Sequence, residues 1–245
     1  MNCPYYIYNV YCPFSPGRHH SSHKLAINKN VKAADPLAVS STPMSKDTDK
    51  IREYLQIPTF TGEVNPGILS HINENIKNDI LEFKSQMEDA ANDSAKEMKS
   101  QGKHFIPYEI SNSYLVTYNK DNILSVSLIY HEYINGRSSY VRTSYNYNLD
   151  TGESMPLRSL FKPGVNYIDI LNRKVRAILQ KNSQLYPPDA LQRFKGIAED
   201  HPYYLDNNNL NLFFGFNEIA PLSGEIPIIK IPLSELSGIL KPQFI

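Results

Sequence analysis

The sequence has no tryptophan and no excess of charge of either sign. Its 245 residues include 25 basic and 25 acidic side chains, so the formal net charge is zero. Nucleic-acid-binding proteins ordinarily carry a basic excess, and the composition therefore argues against that class. Hydrophobic residues make up 41% of the chain. That fraction and the length are typical of one large globular domain or two small ones.

Cysteine is also scarce, with only Cys3 and Cys12 near the start of the chain. Two cysteines do not form a disulfide framework, and both a single bridge and two reduced thiols remain open. Together with His19, His20 and His23 they supply the side-chain types that bind soft metals. Their spacing is irregular, however, so a solvated tail is the default interpretation.

Long apolar runs are missing too. No stretch approaches the roughly 18 apolar residues of a membrane helix. The first residues, Met1-Asn-Cys-Pro-Tyr-Tyr, lack the basic start and apolar block of a signal peptide. Taken alone, the sequence predicts a cytoplasmic protein without a membrane segment.

Motifs that mark catalytic sites are absent as well. There is no nucleophile elbow, phosphate-binding loop or dinucleotide fingerprint. The segment His131-Glu132-Tyr-Ile-Asn135 has Asn where the metalloprotease motif needs a second His. It also reads as a strand, which would send His131 and Glu132 to opposite faces. We therefore predict no catalytic residue, no metal, no cofactor and no enzymatic activity.

The first strong element is a helix that follows a different kind of segment. Residues 1–50 are punctuated by proline and rich in Ser, Asn and Lys, which predicts a poorly ordered leader, with one strand over Tyr5 to Tyr11 as an alternative within it. Asn65 and Pro66 then fit the cap and first position of a helix. Apolar residues recur every three or four positions at Ile68, Ile72, Ile76, Ile80, Phe83 and Met87. This stripe predicts a long amphipathic helix that needs an apolar partner.

The partner is predicted to be a sheet. Residues 124–131 alternate between apolar and polar side chains, as in a strand with one buried face. Asn135-Gly136 is a strong hairpin signal that leads into a strand over residues 139–149. A strand over residues 108–118 precedes them. The pattern predicts an α+β module over residues 51–148, with an antiparallel meander packed against the long helix.

A second α+β module is predicted over residues 149–240. An apolar stripe predicts a helix over residues 167–182, and a short helix follows at residues 189–194. Leu210, Leu212, Phe214 and Phe216 predict a buried strand. Residues 226–236 predict the last strand and a closing turn.

Several segments resemble a family of bacterial envelope domains. The helix pattern Asn73 to Ile80 is similar to the smaller module that precedes the C-terminal domain in RsiV-type anti-sigma factors and PdaC-type peptidoglycan deacetylases. Asn148-Leu-Asp-Thr-Gly-Glu153 resembles the family's strand-to-turn segment. Leu157 to Lys162, followed by Tyr167 to Asn172, resembles its approach to the second helix. Asn217-Glu-Ile-Ala-Pro221 resembles its "Y-E-I-A-P" signature.

The resemblance implies a recognition module outside the cytoplasm, in contrast to the cytoplasmic location that the first residues predict. In RsiV-type relatives the equivalent domain binds lysozyme, and in PdaC-type proteins it accompanies peptidoglycan chemistry. The chain shows neither the sigma-binding and membrane segments of the former nor the Asp-Asp metal motif of the latter. Asn135-Gly-Arg-Ser-Ser139 also replaces a Gly-Gly-Ala-His segment common in the family. The resemblance thus implies binding of a protein or a cell-wall glycan.

Aromatic and arginine side chains are the usual anchors of interfaces. The candidate ligand-binding residues are three tyrosines of the hairpin, which we expect to be exposed, two arginines beside them and two residues of the C-terminal bend: Tyr133, Tyr140, Tyr145, Arg137, Arg142, Asn217 and Glu218. Sheet packing is the alternative for each tyrosine, and a bend-stabilising role is the alternative for Asn217 and Glu218. The rival functions are a wall hydrolase or deacetylase accessory with an unrecognised site, and a purely structural domain.

Overall fold

The computed structural model describes residues 35–216, 218–221 and 224–244. These form two compact units, one ending at Glu153 and the other beginning at Ser154. The first contains a five-stranded sheet and a long helix, and the second contains a three-stranded sheet with shorter helices. The α+β class is therefore confirmed. The predicted leader cysteines and histidines lie outside the described residues.

The first unit, which we call the N-terminal unit, has its strands in sequence order across the sheet. Its elements are β1 (Ala38–Asp47), β2 (Ile51–Thr61), α1 (Pro66–Ser100), β3 (Tyr108–Lys120), β4 (Ile123–Ile134) and β5 (Arg137–Asn148). All pairings are antiparallel except that of β2 with β3. Because α1 carries the chain back between these two strands, they run parallel, as a crossover connection requires.

Strand β1 corrects part of the sequence interpretation. It lies within the stretch predicted to be a poorly ordered leader, yet it pairs with β2 along its whole length. Nearly all of its side chains are exposed, so neither face carries the apolar alternation that reveals a strand. Backbone hydrogen bonds to β2 define this element, and a side-chain pattern cannot show them.

Helix α1 forms as its cap and stripe predict. Asn65 Oδ1 accepts a hydrogen bond from the Gly67 N–H at 2.8 Å, and Pro66 occupies the first turn. All six stripe residues are buried, and the central isoleucines are fully inaccessible. Each such side chain contributes roughly 1.5–3 kcal/mol. Among the described residues, no helix is both long and apolar enough to span a bilayer.

Three asparagine side chains form hydrogen bonds with the backbone of residues that are distant from them in sequence. The Asn73 amide bonds both N–H and C=O of Phe60, at 2.8 and 2.9 Å. Asn112 does the same for Gln56, at 2.7 and 2.9 Å. Asn119 bonds both groups of Leu37, at 2.9 and 2.8 Å. Each asparagine amide makes the two hydrogen bonds that an adjacent strand would otherwise make. Backbone groups that face no neighbouring strand therefore still have hydrogen-bond partners.

A charged cluster lies between α1 and the first two strands. Glu53 is only 1% exposed, and Lys84 Nζ lies 3.5 Å from its Oε2 and 2.8 Å from Oε2 of Glu88. Lys46 of β1 also pairs with Glu88. Burial raises the pKa of Glu53, and Glu88 beside it raises that pKa further. Burial alone would raise the pKa of Glu88, but hydrogen bonds from Lys46 and Lys84 lower it to about 2.

The substitution Lys84→Met is expected to destabilise the N-terminal unit by about 1–3 kcal/mol, because it leaves a buried carboxyl beside a second one without their shared cation. Lys77→Met changes an exposed lysine of the same helix and should cost less than about 0.5 kcal/mol. Urea unfolding at pH 7 measures both values. Equal effects of the two substitutions would contradict a stabilising role for the cluster.

The second unit, the C-terminal unit, is built on α2 (Tyr167–Lys181), α3 (Ala190–Arg193), β6 (Tyr203–Leu205), β7 (Asn209–Phe213) and β8 (Ile228–Pro232). Leu171, Val175 and Leu179 form the buried stripe of α2. The strand predicted to reach Phe216 ends at Phe213 instead. Phe216 is 38% exposed because the chain turns at Gly215, where the Glu218 N–H bonds the Gly215 carbonyl.

Candidate functional site

One face of the N-terminal sheet is covered by α1. The rings of Phe83 and Tyr130 lie 4.3 Å apart between their centroids. The Tyr145 hydroxyl donates a hydrogen bond to Oδ2 of Asp79 at 2.9 Å. Val126 and Leu128 are fully buried on the same face of β4. The opposite face, which we call the outer face, is therefore the one that α1 leaves uncovered.

Four side chains form a continuous row across the outer face. Tyr54 of β2 pairs with Ser111 of β3, Ser111 pairs with His131 of β4, and His131 pairs with Tyr140 of β5. Directly opposite residues in a sheet project to the same side, so all four lie together. We call this set the outer row. Tyr54 and Tyr140, at its two ends, are 54% and 49% exposed.

His131, in the middle of the outer row, contacts its neighbour on each side. The imidazole of His131 stacks on the ring of Tyr140, with centroids 4.6 Å apart and planes inclined by 30°. Ser111 Oγ lies 3.5 Å from Nδ1 of His131. Nε2 of His131 is buried and has no hydrogen-bond partner within the described part of the chain. A buried polar atom without a hydrogen bond lowers the free energy of unfolding. Such atoms are found chiefly at functional positions.

A second row runs beside the first. Arg52 pairs with Glu109, Glu109 with Tyr133 and Tyr133 with Ser138. The Arg52 guanidinium donates to Glu109 Oε1 at 2.7 Å and lies 3.6 Å from Asp47. The charges of this row therefore largely neutralise one another. Tyr133 adds a half-buried ring to the outer face.

The predicted binding residues of the hairpin fall on both faces of the sheet. Tyr133, Tyr140 and Arg142 share the outer face, since Arg142 lies opposite Ile129, two residues from His131. The Arg142 guanidinium also hydrogen-bonds Ser127 Oγ. Arg137 pairs with Ile134 and lies on the other side, next to the turn. The structure thus groups three of the predicted residues and separates Arg137 from them.

Tyr145 is not the exposed tyrosine that the sequence interpretation took it to be. It is 3% exposed, and its burial against α1 raises its pKa well above the ordinary value for tyrosine. The reason is the alternation of β5, which turns Tyr145 and Tyr147 to the helix and Tyr140 away from it. The shared face of Tyr145, Tyr147 and Leu149 was the signal in the sequence for this burial.

Sequence reasoning missed Tyr54, Ser111 and His131 as members of one surface. His131 was weighed only as part of an incomplete metal motif. Tyr54 precedes α1 whereas the other two follow it, and they become neighbours only through the parallel pairing of β2 and β3. No local pattern contains that information, because it depends on the register of strands far apart in sequence.

Glu218 lies apart from these residues, in the C-terminal unit. Its Oε2 accepts a hydrogen bond from the Gly215 N–H at 3.2 Å, and burial raises the pKa of its carboxyl. This contact closes the turn after β7, as the bend-stabilising alternative expects. Asn217 lies outside the described residues. Ligand contact by Glu218 stays a prediction.

Glu218 also borders an open surface groove of about 500 Å³ together with Asp189, Gln192, Arg193 and Lys195. Arg193 forms a two-pronged pair with Asp189, at 2.7 and 3.0 Å. Lys195 Nζ donates to the Gln192 carbonyl at 2.7 Å. The charged groups of the groove are thus satisfied locally. Across the described residues, no three His, Cys, Asp or Glu side chains gather as a metal site would need.

Among the described groups of the C-terminal unit, His201 has the pKa that is lowered most. It is 7% exposed, and its ring lies 4.5 Å from that of Phe214. Burial disfavours the charged imidazolium and lowers the pKa of His201 to about 4. In the unfolded chain the same group titrates near pH 6.5.

The stability of the C-terminal unit should therefore fall as the pH drops from about 6.5 to about 4, since only the unfolded chain takes up the proton over that range. The loss amounts to about 3 kcal/mol, and none of it is expected above pH 7. In His201→Phe this part of the pH dependence should vanish. Hydrogen exchange of the β7 amides between pH 4 and pH 8 measures the difference. Equal slopes for both proteins would contradict this prediction.

In comparisons with known proteins, two family models match separate stretches of the chain. Residues 44–136 match the family described as Deacetylase PdaC, and residues 158–234 match DUF3298, described as a protein of unknown function. The first match confirms the resemblance to PdaC proteins. A comparison with curated proteins found no match. Together the two family matches indicate a domain family related to the cell envelope.

Solved structures show the same fold. A DUF3298 family member from Bacteroides fragilis aligns with a TM-score of 0.64 and 17% identity, over 84% of this chain and 94% of its own. A DUF3298 family protein from Pseudomonas aeruginosa aligns with a TM-score of 0.62 and 17% identity, over 86% of this chain and 97% of its own. Both fold matches extend across most of the two units.

Proposed function

We propose that the chain is a non-catalytic recognition module of the cell envelope that binds a protein of the lysozyme type or a peptidoglycan ligand. The observation that carries this proposal is the outer row, with exposed Tyr54 and Tyr140 at its ends and the stacked His131 between them. Exposed aromatic side chains are the usual anchors of binding surfaces.

The placement of the carboxylates supports binding over catalysis. Glu53, whose pKa is raised, is 1% exposed and lies against α1, on the covered face of the sheet. A substrate on the outer face would not reach it. Glu109 and Asp47, two carboxylates on the outer face, both lie beside the Arg52 guanidinium. A general acid or base must instead lie within hydrogen-bond reach of the reacting group.

The family description as a deacetylase favours a second candidate. The module would then serve as the accessory part of a cell-wall hydrolase or deacetylase, holding the wall while chemistry takes place elsewhere. The same outer face would perform the binding. A purely structural role, by contrast, requires neither of the exposed tyrosines.

The double substitution Tyr54→Ala/Tyr140→Ala is expected to weaken binding at least tenfold, because it removes both exposed anchors while leaving the helix-covered core intact. Calorimetric titration with lysozyme and co-sedimentation with purified peptidoglycan measure the effect. Circular dichroism should show that the variant keeps its fold.

Leu185→Ala is the matched control, because Leu185 is similarly exposed at 53% but lies in the C-terminal unit. It should leave binding unchanged. If the unmodified protein binds neither lysozyme nor peptidoglycan at high concentration, the recognition function is wrong. If Leu185→Ala weakens binding while the tyrosine variant does not, the outer face is not the site.

A further inference from the structure

We infer that the chain forms a dimer in which the β5 strands of two copies pair edge to edge, antiparallel, around Ser139. Among the described residues, β1 and β5 are the two edge strands of the N-terminal sheet. An edge strand presents backbone N–H and C=O groups that no neighbouring strand bonds. A proline blocks one of these edges, whereas the first half of the other is open to a further strand.

Strand β1 is the blocked edge. Pro43 lies opposite Gln56, whose own N–H and C=O are bonded by the Asn112 side chain on the far side of β2. Since Gln56 directs its backbone groups away from β1, the residue opposite it directs its backbone away from β2. The ring nitrogen of Pro43 therefore faces the free edge, where it has no hydrogen to donate. A further strand cannot form a complete ladder with β1.

Strand β5 is open over its first half. The turn at Asn135-Gly136, with φ values of 51° and 80°, makes Ile134 and Arg137 a hydrogen-bonded pair. Because such pairs alternate along a ladder, Ser138 and Tyr140 direct their backbone groups away from β4. Both residues are exposed, and these groups have no partner within the part of the chain that the structure describes.

The open segment is complementary to itself. Two antiparallel copies centred on Ser139 place Ser138 of each copy opposite Tyr140 of the other, and each such pair exchanges two backbone hydrogen bonds. All the outward backbone groups of Ser138 and Tyr140 then have partners. Arg137 lies opposite Val141 of the other copy, so no like charges meet directly. The segment contains neither proline nor lysine, which protect many natural sheet edges.

The difference between the two edges limits the assembly to two copies. Pairing of β5 with β1 of another copy would leave a free edge at each end, and the contact would propagate into a filament. Pro43 disfavours that contact because it removes a donor from the middle of β1. Pairing of β5 with β5 uses the same surface on both copies and is closed by a two-fold axis. It joins two five-stranded sheets into one continuous sheet.

The dimer would carry both outer faces on the same side. Residues directly opposite each other in a ladder project to the same side of the sheet. Tyr140 of each copy would therefore lie beside Ser138 of the other copy, and the two outer rows would face the same way. A ligand with repeated units could contact both rows at once, which raises its avidity. Only this consequence rests on the proposed recognition function.

Sedimentation equilibrium of the full chain at increasing concentration tests the dimer, and the mass should rise from one copy toward two. Ser138→Pro removes an outward N–H from each copy and should raise the dimer Kd at least about tenfold. Ser41→Pro is the matched control, because Ser41 is an exposed serine of β1 whose backbone also faces outward, two residues from Pro43. It should leave the Kd unchanged. Circular dichroism should show that both variants keep the fold.

A pair of charge substitutions tests the register. In Val141→Lys the new charge lies opposite Arg137 of the other copy, so the dimer should be weakened. Val141→Glu should strengthen the dimer through the same contact. Both shifts in the Kd should shrink in high salt, because the contact is exposed.

A full chain that keeps the mass of one copy at millimolar concentration would overturn the inference and leave the recognition function in place. A dimer that is unaffected by Ser138→Pro and by both charge substitutions would place the interface away from β5. Equal weakening by Ser41→Pro and Ser138→Pro would contradict the difference between the two edges. Assemblies that grow beyond two copies would contradict the blocking role of Pro43.

Discussion

The burial of the isoleucine stripe of α1 against one face of the sheet is the constraint on which the rest of the N-terminal unit depends. Ile72, Ile76 and Ile80 are completely inaccessible. Their burial commits the alternating apolar residues of β4 to the helix side, and the pleat then sends every second residue to the opposite face. The outer face therefore owes its composition to the packing of α1, because each apolar position that α1 buries leaves its neighbour on the other side.

The parallel pairing of β2 with β3 turns that face into a continuous surface. It extends over only four residue pairs, from Ile51 with Tyr108 to Tyr54 with Ser111. Beyond it the strands separate, and the Asn112 side chain bonds the Gln56 backbone in place of a ladder partner. Tyr54 stands at the last paired position, so this short pairing and its asparagine extension determine where one end of the outer row lies.

Local patterns predicted much of the fold and little of the surface. The stripe of α1, its Asn65 cap and the Asn135-Gly136 hairpin were readable because each depends on residues close in sequence. Strand β1 was not, since its exposed side chains carry no alternation. Tyr140 was chosen correctly as an exposed residue and Tyr145 wrongly, although the alternation of β5 places the two on opposite faces of the sheet. Tyr54 and His131 could be joined only by strand register, which a single sequence does not show.

The outer row also crosses the longest connection in the unit. Tyr54 is contributed before the 35-residue helix α1, and Ser111, His131 and Tyr140 after it. Tyr54 lies next to the other three residues only while α1 is packed on the sheet and β2 is paired with β3. A molecule that contacts both Tyr54 and Tyr140 would then connect two chain segments that separate when the unit unfolds. Its binding would raise the free energy of unfolding of the whole unit, and the unit would be cleaved more slowly by proteases.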